Sequence, residues 1–261
     1  MKKYMFMAVA GMLALSSCSK DDNDVQNTQN APRQMTFTAG FGDGAQTRAS
    51  LNGSTKEVSF DAGDEISILS ANNTNTEFTT TAGGASATFT GTATAGDPTY
   101  YAVYPYTDDL TLSGTTISGV TIPTFQVNAV NSTCGWDPAA PIAYATTTGT
   151  SLQFHNACAL LKINNDGGNA MDITVSCDEA LTGTFSLDTS NGTLSEGSVT
   201  YSFASAGSVP SGTTIYIAIA PGTKNYFTVN WLGESDYKTK DKMSVTFEAG
   251  KIYNLGNTSE W

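Results

Sequence analysis

Apolar positions in this chain recur at a period of two. Met35, Phe37, Ala39 and Phe41 alternate with Gln34, Thr36, Thr38 and Gly40, and Ile215, Ile217 and Ile219 alternate in the same way within TIYIAIAP. In an extended chain successive side chains point to opposite faces, so this period predicts strands with one buried side. Short runs rich in Thr, Ser, Val, Ile, Tyr and Phe, broken by Gly, Asn and Asp, predict further strands over 58–60, 65–70, 76–80, 87–91, 99–104, 115–120 and 124–127. In TYYAVYPY, Tyr101 and Val103 face one way, and Pro105 ends the strand or sits at an edge, because proline cannot donate to a ladder. The stretch 128–150, with two prolines, Trp136 and many small residues, reads as a long connection. LQFHNACALLKINND follows, and then strand-like runs over 173–177, 184–187, 199–203, 214–220, 226–231, 243–248 and 252–255. No segment keeps a helical period over three turns. The pattern predicts an all-β protein with two β-sandwich domains in tandem, over 49–150 and 151–261.

The first fifty residues follow another logic. Lys2 and Lys3 precede an apolar run from Tyr4 to Leu15, then small residues and Cys18. A basic n-region, a short h-region and small residues before a cut mark a secretory signal over 1–17. The run is shorter than the ~20 apolar residues a membrane-spanning helix needs. A cysteine directly after the small residues makes Cys18 the expected lipidation site, so that acyl chains would hold the exported chain at a membrane. The plain alternative is a secreted protein with a cysteine near its cut. SKDDND after Cys18 reads either as a solvated tether or as a surface-sorting signal, and residues 19–33 are polar without apolar period. Segment 18–48 is thus a tether followed by one alternating strand. Arg48 lies in the Gly-rich GDGAQTR directly behind that strand, and the only other arginine is Arg33. An arginine-specific protease cutting between Arg48 and Ala49 would remove the strand bearing Met35, Phe37, Ala39 and Phe41, and would meet no later arginine.

Net charge is −12, and from Ala49 onward seven lysines stand against 20 acidic residues. That balance argues against nucleic acid, whose binding surfaces are basic, and against anionic lipid surfaces. Cys134, Cys158 and Cys177 follow Cys18, too few for a disulfide scaffold. A Cys158–Cys177 bridge is one alternative and buried free thiols are the other. Chemistry is sparse. The single histidine, His155, lies in a strand-like run with no nucleophile elbow beside it, and no metal-binding or phosphate-cradling motif is present, so neither an enzyme nor a cofactor is expected. Asp61, Asp64 and Glu65 in FDAGDEI could serve a metal such as calcium or a turn before a strand, and their spacing is not that of an EF-hand. Tyr100, Tyr101, Tyr104 and Tyr106 could form a sugar-stacking surface or fill a core.

In order along the chain, these features resemble the fimbrillin family of Bacteroidales, the lipoprotein pilins and their relatives. The Cys18 leader comes first, then a single strand ahead of TRAS. VSFDAGDEISIL (58–69) is similar to a family segment with GD before a strand, LQFHNACALLKI (152–163) to its F-x-H-x-x-A-x-L strand, and FEAGKIYNL (247–255) to its closing strand. The resemblance implies tandem transthyretin-like β-sandwiches, export as a lipoprotein, and cleavage after Arg48. It further implies assembly into cell-surface fimbriae by donor-strand exchange, with other fimbrial subunits, an arginine-specific protease and a host glycan or protein ligand as partners. A subunit of this kind could stand in the stalk or at the tip. Removal of Arg48-linked leader weighs against an anchor. Either 243–247 and 252–255 form a detachable terminal hairpin that serves as donor, or there is no donor and the subunit would cap a fibre at the tip or stay a non-polymerising surface adhesin. The competing reading is a non-polymerising surface lipoprotein that binds glycans.

Overall fold

A computed structural model describes residues 31–42, 50–51, 58–126 and 134–261. Among them the regular structure is strand throughout, apart from a closing 3-10 turn at Thr258–Glu260, so no described helix is long and apolar enough to cross a membrane. Cys18, Arg48 and Ala49 lie outside the described residues.

Seven strands close into a barrel: β1 (Pro32–Phe41), β4 (Glu65–Ser70), β5 (Asn73–Thr80), β6 (Ser86–Thr94), β7 (Tyr100–Tyr104), β11 (Ala143–Thr147) and β12 (Ser151–Asn156). Their order around the ring is β1-β12-β11-β7-β4-β5-β6. A two-stranded ladder, β2 (Ser50–Leu51) with β3 (Val58–Ser59), lies outside the ring. The sequence predicts two packed sheets here. The strands instead form one closed sheet, because β1 bonds β6 on one side and β12 on the other. Inside sit Phe37, Phe60, Ile66, Ile68, Phe78, Phe89, Tyr100, Ala102, Leu152 and Phe154.

The rest is layered. One sheet has the order β10-β18-β13-β21, from β10 (Cys134–Trp136), β18 (Thr213–Ile219), β13 (Ala159–Asn165) and β21 (Ile252–Asn257). A second has the order β17-β14-β19-β20, from β17 (Phe203–Ser205), β14 (Asp172–Ser176), β19 (Gly222–Leu232) and β20 (Tyr237–Phe247). Between them Leu161, Ile163, Ile173, Val175, Ile215, Ile217, Val229 and Trp231 form a core. The third sheet, β16-β15-β9-β8, joins β8 (Thr111–Ser113) and β9 (Thr116–Ile122) to β15 (Thr182–Asp188) and β16 (Thr193–Tyr201). Its Ile117, Val120, Phe185 and Leu187 share a core with Leu160, Tyr216 and Ala218 from the other face of β13 and β18, and with Leu69 and Val103 from the barrel. β13 and β18 are therefore buried on both sides, which explains why ALLKI and TIYIAI read as nearly continuous apolar runs.

Several expectations need correction. The stretch 128–150 is not a mere connection: it supplies β10, parallel to β18, and β11, which lies in the barrel between β7 and β12. Both strands are short, and Pro138 and Pro141 fall between them, so neither leaves a long pattern. Within 124–127 no described residue is in a strand; Phe125 makes an isolated bridge to Ser205. The run from Leu152 to Asp166 divides at Ala157–Cys158, β12 serving the barrel and β13 the central layer. The terminal hairpin does not form, because β20 pairs with β19 while β21 pairs with β13 in another sheet. The strand predicted over 99–104 runs from Tyr100 to Tyr104 and stops before Pro105 as expected, with Tyr101 and Val103 turned to one core and Tyr100, Ala102 and Tyr104 to the other.

Candidate functional site

β1 is the element the sequence singles out, and its setting explains why. Over Pro32–Gly40 it runs antiparallel to β6, from Pro32↔Thr94 to Gly40↔Ser86. On its other side it pairs with β12 over Thr38–Phe41 only, and in parallel. Flanking hydrogen bonds, Thr38 N–H to Thr150 O at 2.8 Å and Gly42 N–H to Phe154 O at 3.0 Å, complete that short seam. Among the described strands, residues 32–37 thus pair with one neighbour only. β1 closes the barrel, and the seam it closes is narrow.

The period of two sorts its side chains as predicted. Phe37 and Ala39 have no exposed surface, Met35 and Phe41 pack against the same core at the two ends, and Gln34, Thr36 and Thr38 face outward. The Phe37 ring meets Phe78 edge-on at 5.4 Å between centroids and Tyr100 at 5.3 Å. Phe41 stacks on Phe60 at 4.7 Å and lies 6.0 Å from Phe154. Opposite Met35 stands Gly91, where a Cβ would lie 2.6 Å from the Glu77 carbonyl oxygen and 2.7 Å from the Phe78 ring. That position needs glycine for close approach of backbone and ring. The slot holding β1 is therefore an apolar trough lined by aromatic rings, with β6 and β12 offering backbone hydrogen-bonding edges. Chemically it can hold an extended strand with large apolar residues on one face.

The remaining candidates resolve as structure. Asp64 Oδ2 accepts from the Asp61 N–H at 2.8 Å and from the Tyr104 hydroxyl at 3.3 Å, the pattern of a turn. No described cluster of His, Cys, Asp and Glu could hold a metal ion. Tyr100 and Tyr104 are buried, so the tyrosines of β7 do not form a stacking surface together. His155 is exposed on β12, 5.9 Å from the Tyr144 ring and beside Gly42 at the end of β1. Cys158 and Cys177 are both free. Burial pushes the Cys158 thiol up to about 12, although its sulfur accepts a hydrogen bond from the Ile142 N–H. The walls of the trough, Phe60, Phe78, Phe89 and Phe154, escaped the sequence reading. Their only signal was one phenylalanine in each of several alternating segments, which does not say that they meet.

No family model matches the chain, and no curated protein does. Solved structures do. A candidate cell-adhesion protein of Bacteroides uniformis is 16% identical, with 85% of this chain and 92% of that one covered at a TM-score of 0.52. A second, from Bacteroides ovatus, is 15% identical over 75% of this chain and 82% of that one, at a TM-score of 0.49. The tip fimbrial protein of Porphyromonas gingivalis is 10% identical over 86% of this chain and 94% of that one, at 0.41. The structural neighbours of this chain are thus fimbrial and cell-adhesion proteins of Bacteroidales. The Bacteroides uniformis likeness carries the fold.

Proposed function

We propose that this chain is a structural subunit of cell-surface fimbriae, in the stalk or at the tip, and that β1 is its removable strand. In this reading the protein is exported, held at the outer membrane through lipid on Cys18, and cut between Arg48 and Ala49. The vacated trough then receives a strand from a neighbouring subunit, and the polymer supports adhesion. In this reading the two halves, over 49–150 and 151–261, are tandem transthyretin-like β modules, with β12 (Ser151–Asn156) crossing over to complete the barrel of the first. No catalytic step is part of this role.

The observation that carries the reading is the setting of β1. It is the first described strand, ten residues long, fully burying Phe37 and Ala39, and its loss would open the closed sheet between β6, which it pairs over Pro32–Gly40, and β12, which it pairs over Thr38–Phe41. Burying a large apolar side chain contributes roughly 1.5–3 kcal/mol, so an emptied trough has a strong tendency to take up another strand. A tethered strand acts at about millimolar effective concentration or above; cutting the tether removes that advantage and lets a competitor enter. Names carried by the neighbours, fimbrial and adhesion proteins, agree with such a role. A surface glycan binder would have no use for a strand of this kind.

The test is the N-terminus of the protein sheared from producing cells, read by mass spectrometry. A peptide beginning at Ala49, together with lipidated monomers and no fibres from Arg48→Ala, is the expected result. Fibres from Arg48→Ala, or lipid on Cys18 of every wild-type molecule, would refute it.

A further inference from the structure

The second half contains an open place for a strand, independent of the slot that β1 fills. β20 and β21 are the outer strands of two facing sheets, and among the described residues each leaves one backbone edge unpaired. Between them Phe227, Val229, Val245, Phe247, Tyr253 and Leu255 line a cleft of about 120 Å³. A dry apolar cavity of about 150 Å³ accepts benzene, so this space suits one aliphatic side chain.

The charge around the cleft departs from the rest of the molecule. Only seven lysines follow Ala49, and three of them, Lys238, Lys240 and Lys242, alternate along β20. Their partners across the ladder are Trp231, Val229 and Phe227, all buried, so the lysines share the inward face of an edge strand. Inward charges on an edge strand discourage indiscriminate pairing. Two of them are already committed. Lys238 Nζ donates to Thr258 O at 2.9 Å, with its ammonium 5.1 Å from the Trp231 ring centroid. Lys240 Nζ donates to Leu255 O at 2.7 Å, where the register of β21 against β13 shifts. These two bonds pin β20 to the end of β21 and close that part of the gap. Lys242 stands at the cleft itself, beside the exposed Met243.

We propose that this cleft docks an extended acidic segment of a neighbouring polypeptide. Its backbone would add to the free edge of β20 or β21, one aliphatic side chain would enter the cleft, and a flanking carboxylate would meet Lys242. Charge complementarity selects the occupant: a basic, apolar cleft on a strongly acidic chain favours a segment alternating carboxylates with aliphatic residues over a basic or aromatic one.

The probe is an acetylated peptide alternating aspartate with valine, about six residues long, the ordinary length of a strand. It is added to the full-length chain at about 1 mM, where even weak binding registers. Amide exchange in β20 or β21 should slow, Lys242→Glu should weaken binding about tenfold, and a peptide with lysine for aspartate should not bind. Backbone N-methylation of the peptide should also abolish protection. The proposal fails if neither strand is protected, if Lys242→Glu binds as the wild type does, or if the lysine peptide binds equally. Protection confined to β6 and β12 would also overturn it, since the peptide would then be using the β1 trough; the fate of β1 itself is untouched by any of these results.

Discussion

The trough reading stands on Phe37, and replacing that residue gives the sharpest test. A synthetic peptide covering Pro32–Phe41 is titrated into the fragment beginning at Ala49, with binding followed by calorimetry. Phe37 is completely buried and makes edge-on contacts with Phe78 and Tyr100. Truncating a buried phenylalanine to alanine costs about 3–5 kcal/mol, of which aromatic pairs supply about 0.5–1.5 kcal/mol each. Since about 1.4 kcal/mol is tenfold in affinity, Phe37→Ala in the peptide should weaken binding by at least about 100-fold. Thr36→Ala is the control: Thr36 faces outward, and surface changes stay within about 0.5 kcal/mol, or roughly twofold. In the intact chain the same Phe37→Ala change should lower the stability measured in urea by a comparable amount. A Phe37→Ala peptide binding within about threefold of the wild type would refute the argument, because the strand would then be held by its backbone alone.

Other outcomes follow from the same contacts. Gly91→Ala places a methyl against the Glu77 carbonyl and the Phe78 ring, and overpacking of this kind costs about 1–3 kcal/mol, read as a lowered urea midpoint with the slope unchanged. Thr258 is buried, and its hydroxyl accepts from the Gly167 N–H at 2.8 Å and donates to Asn165 Oδ1 at 3.0 Å. Thr258→Val should cost about 1–3 kcal/mol by leaving that N–H unsatisfied, and should speed amide exchange at the C-terminal turn. Cys158 should resist a thiol reagent in the native protein while Cys177, only partly buried, reacts first. The Cys158 thiol ionises near 9.0 in the unfolded chain but only at about 12 in the folded one, so the unfolded state loses its proton first as pH rises. The stability this group contributes is therefore full below about pH 9 and lost between there and about pH 12. Cys158→Ala should flatten that part of the stability profile, and an unchanged profile would contradict the assignment.

What could be read without coordinates was local. The alternation of Met35, Phe37, Ala39 and Phe41 placed a one-faced strand where β1 lies, and the run over Glu65–Ser70 matched β4 end to end, because a side chain's direction in a strand depends only on its neighbours in the chain. The same local rule stopped a strand at Pro105. Three things depended on residues far apart. β1 closes a ring by pairing with β6 and with β12, a strand more than a hundred residues later, and no periodicity states such a partnership. β9, with β8 on its outer side, leaves the first half to pair with β15, so the boundary between halves is a shared core rather than a linker. The last two strands, adjacent in sequence, could have been a hairpin; packing on opposite sides of one core sent them to different sheets and left the lysine-lined cleft between them. Local pattern fixes which face of each strand is apolar; which faces meet is a matter of how those faces are buried together, and only the tertiary structure decides it.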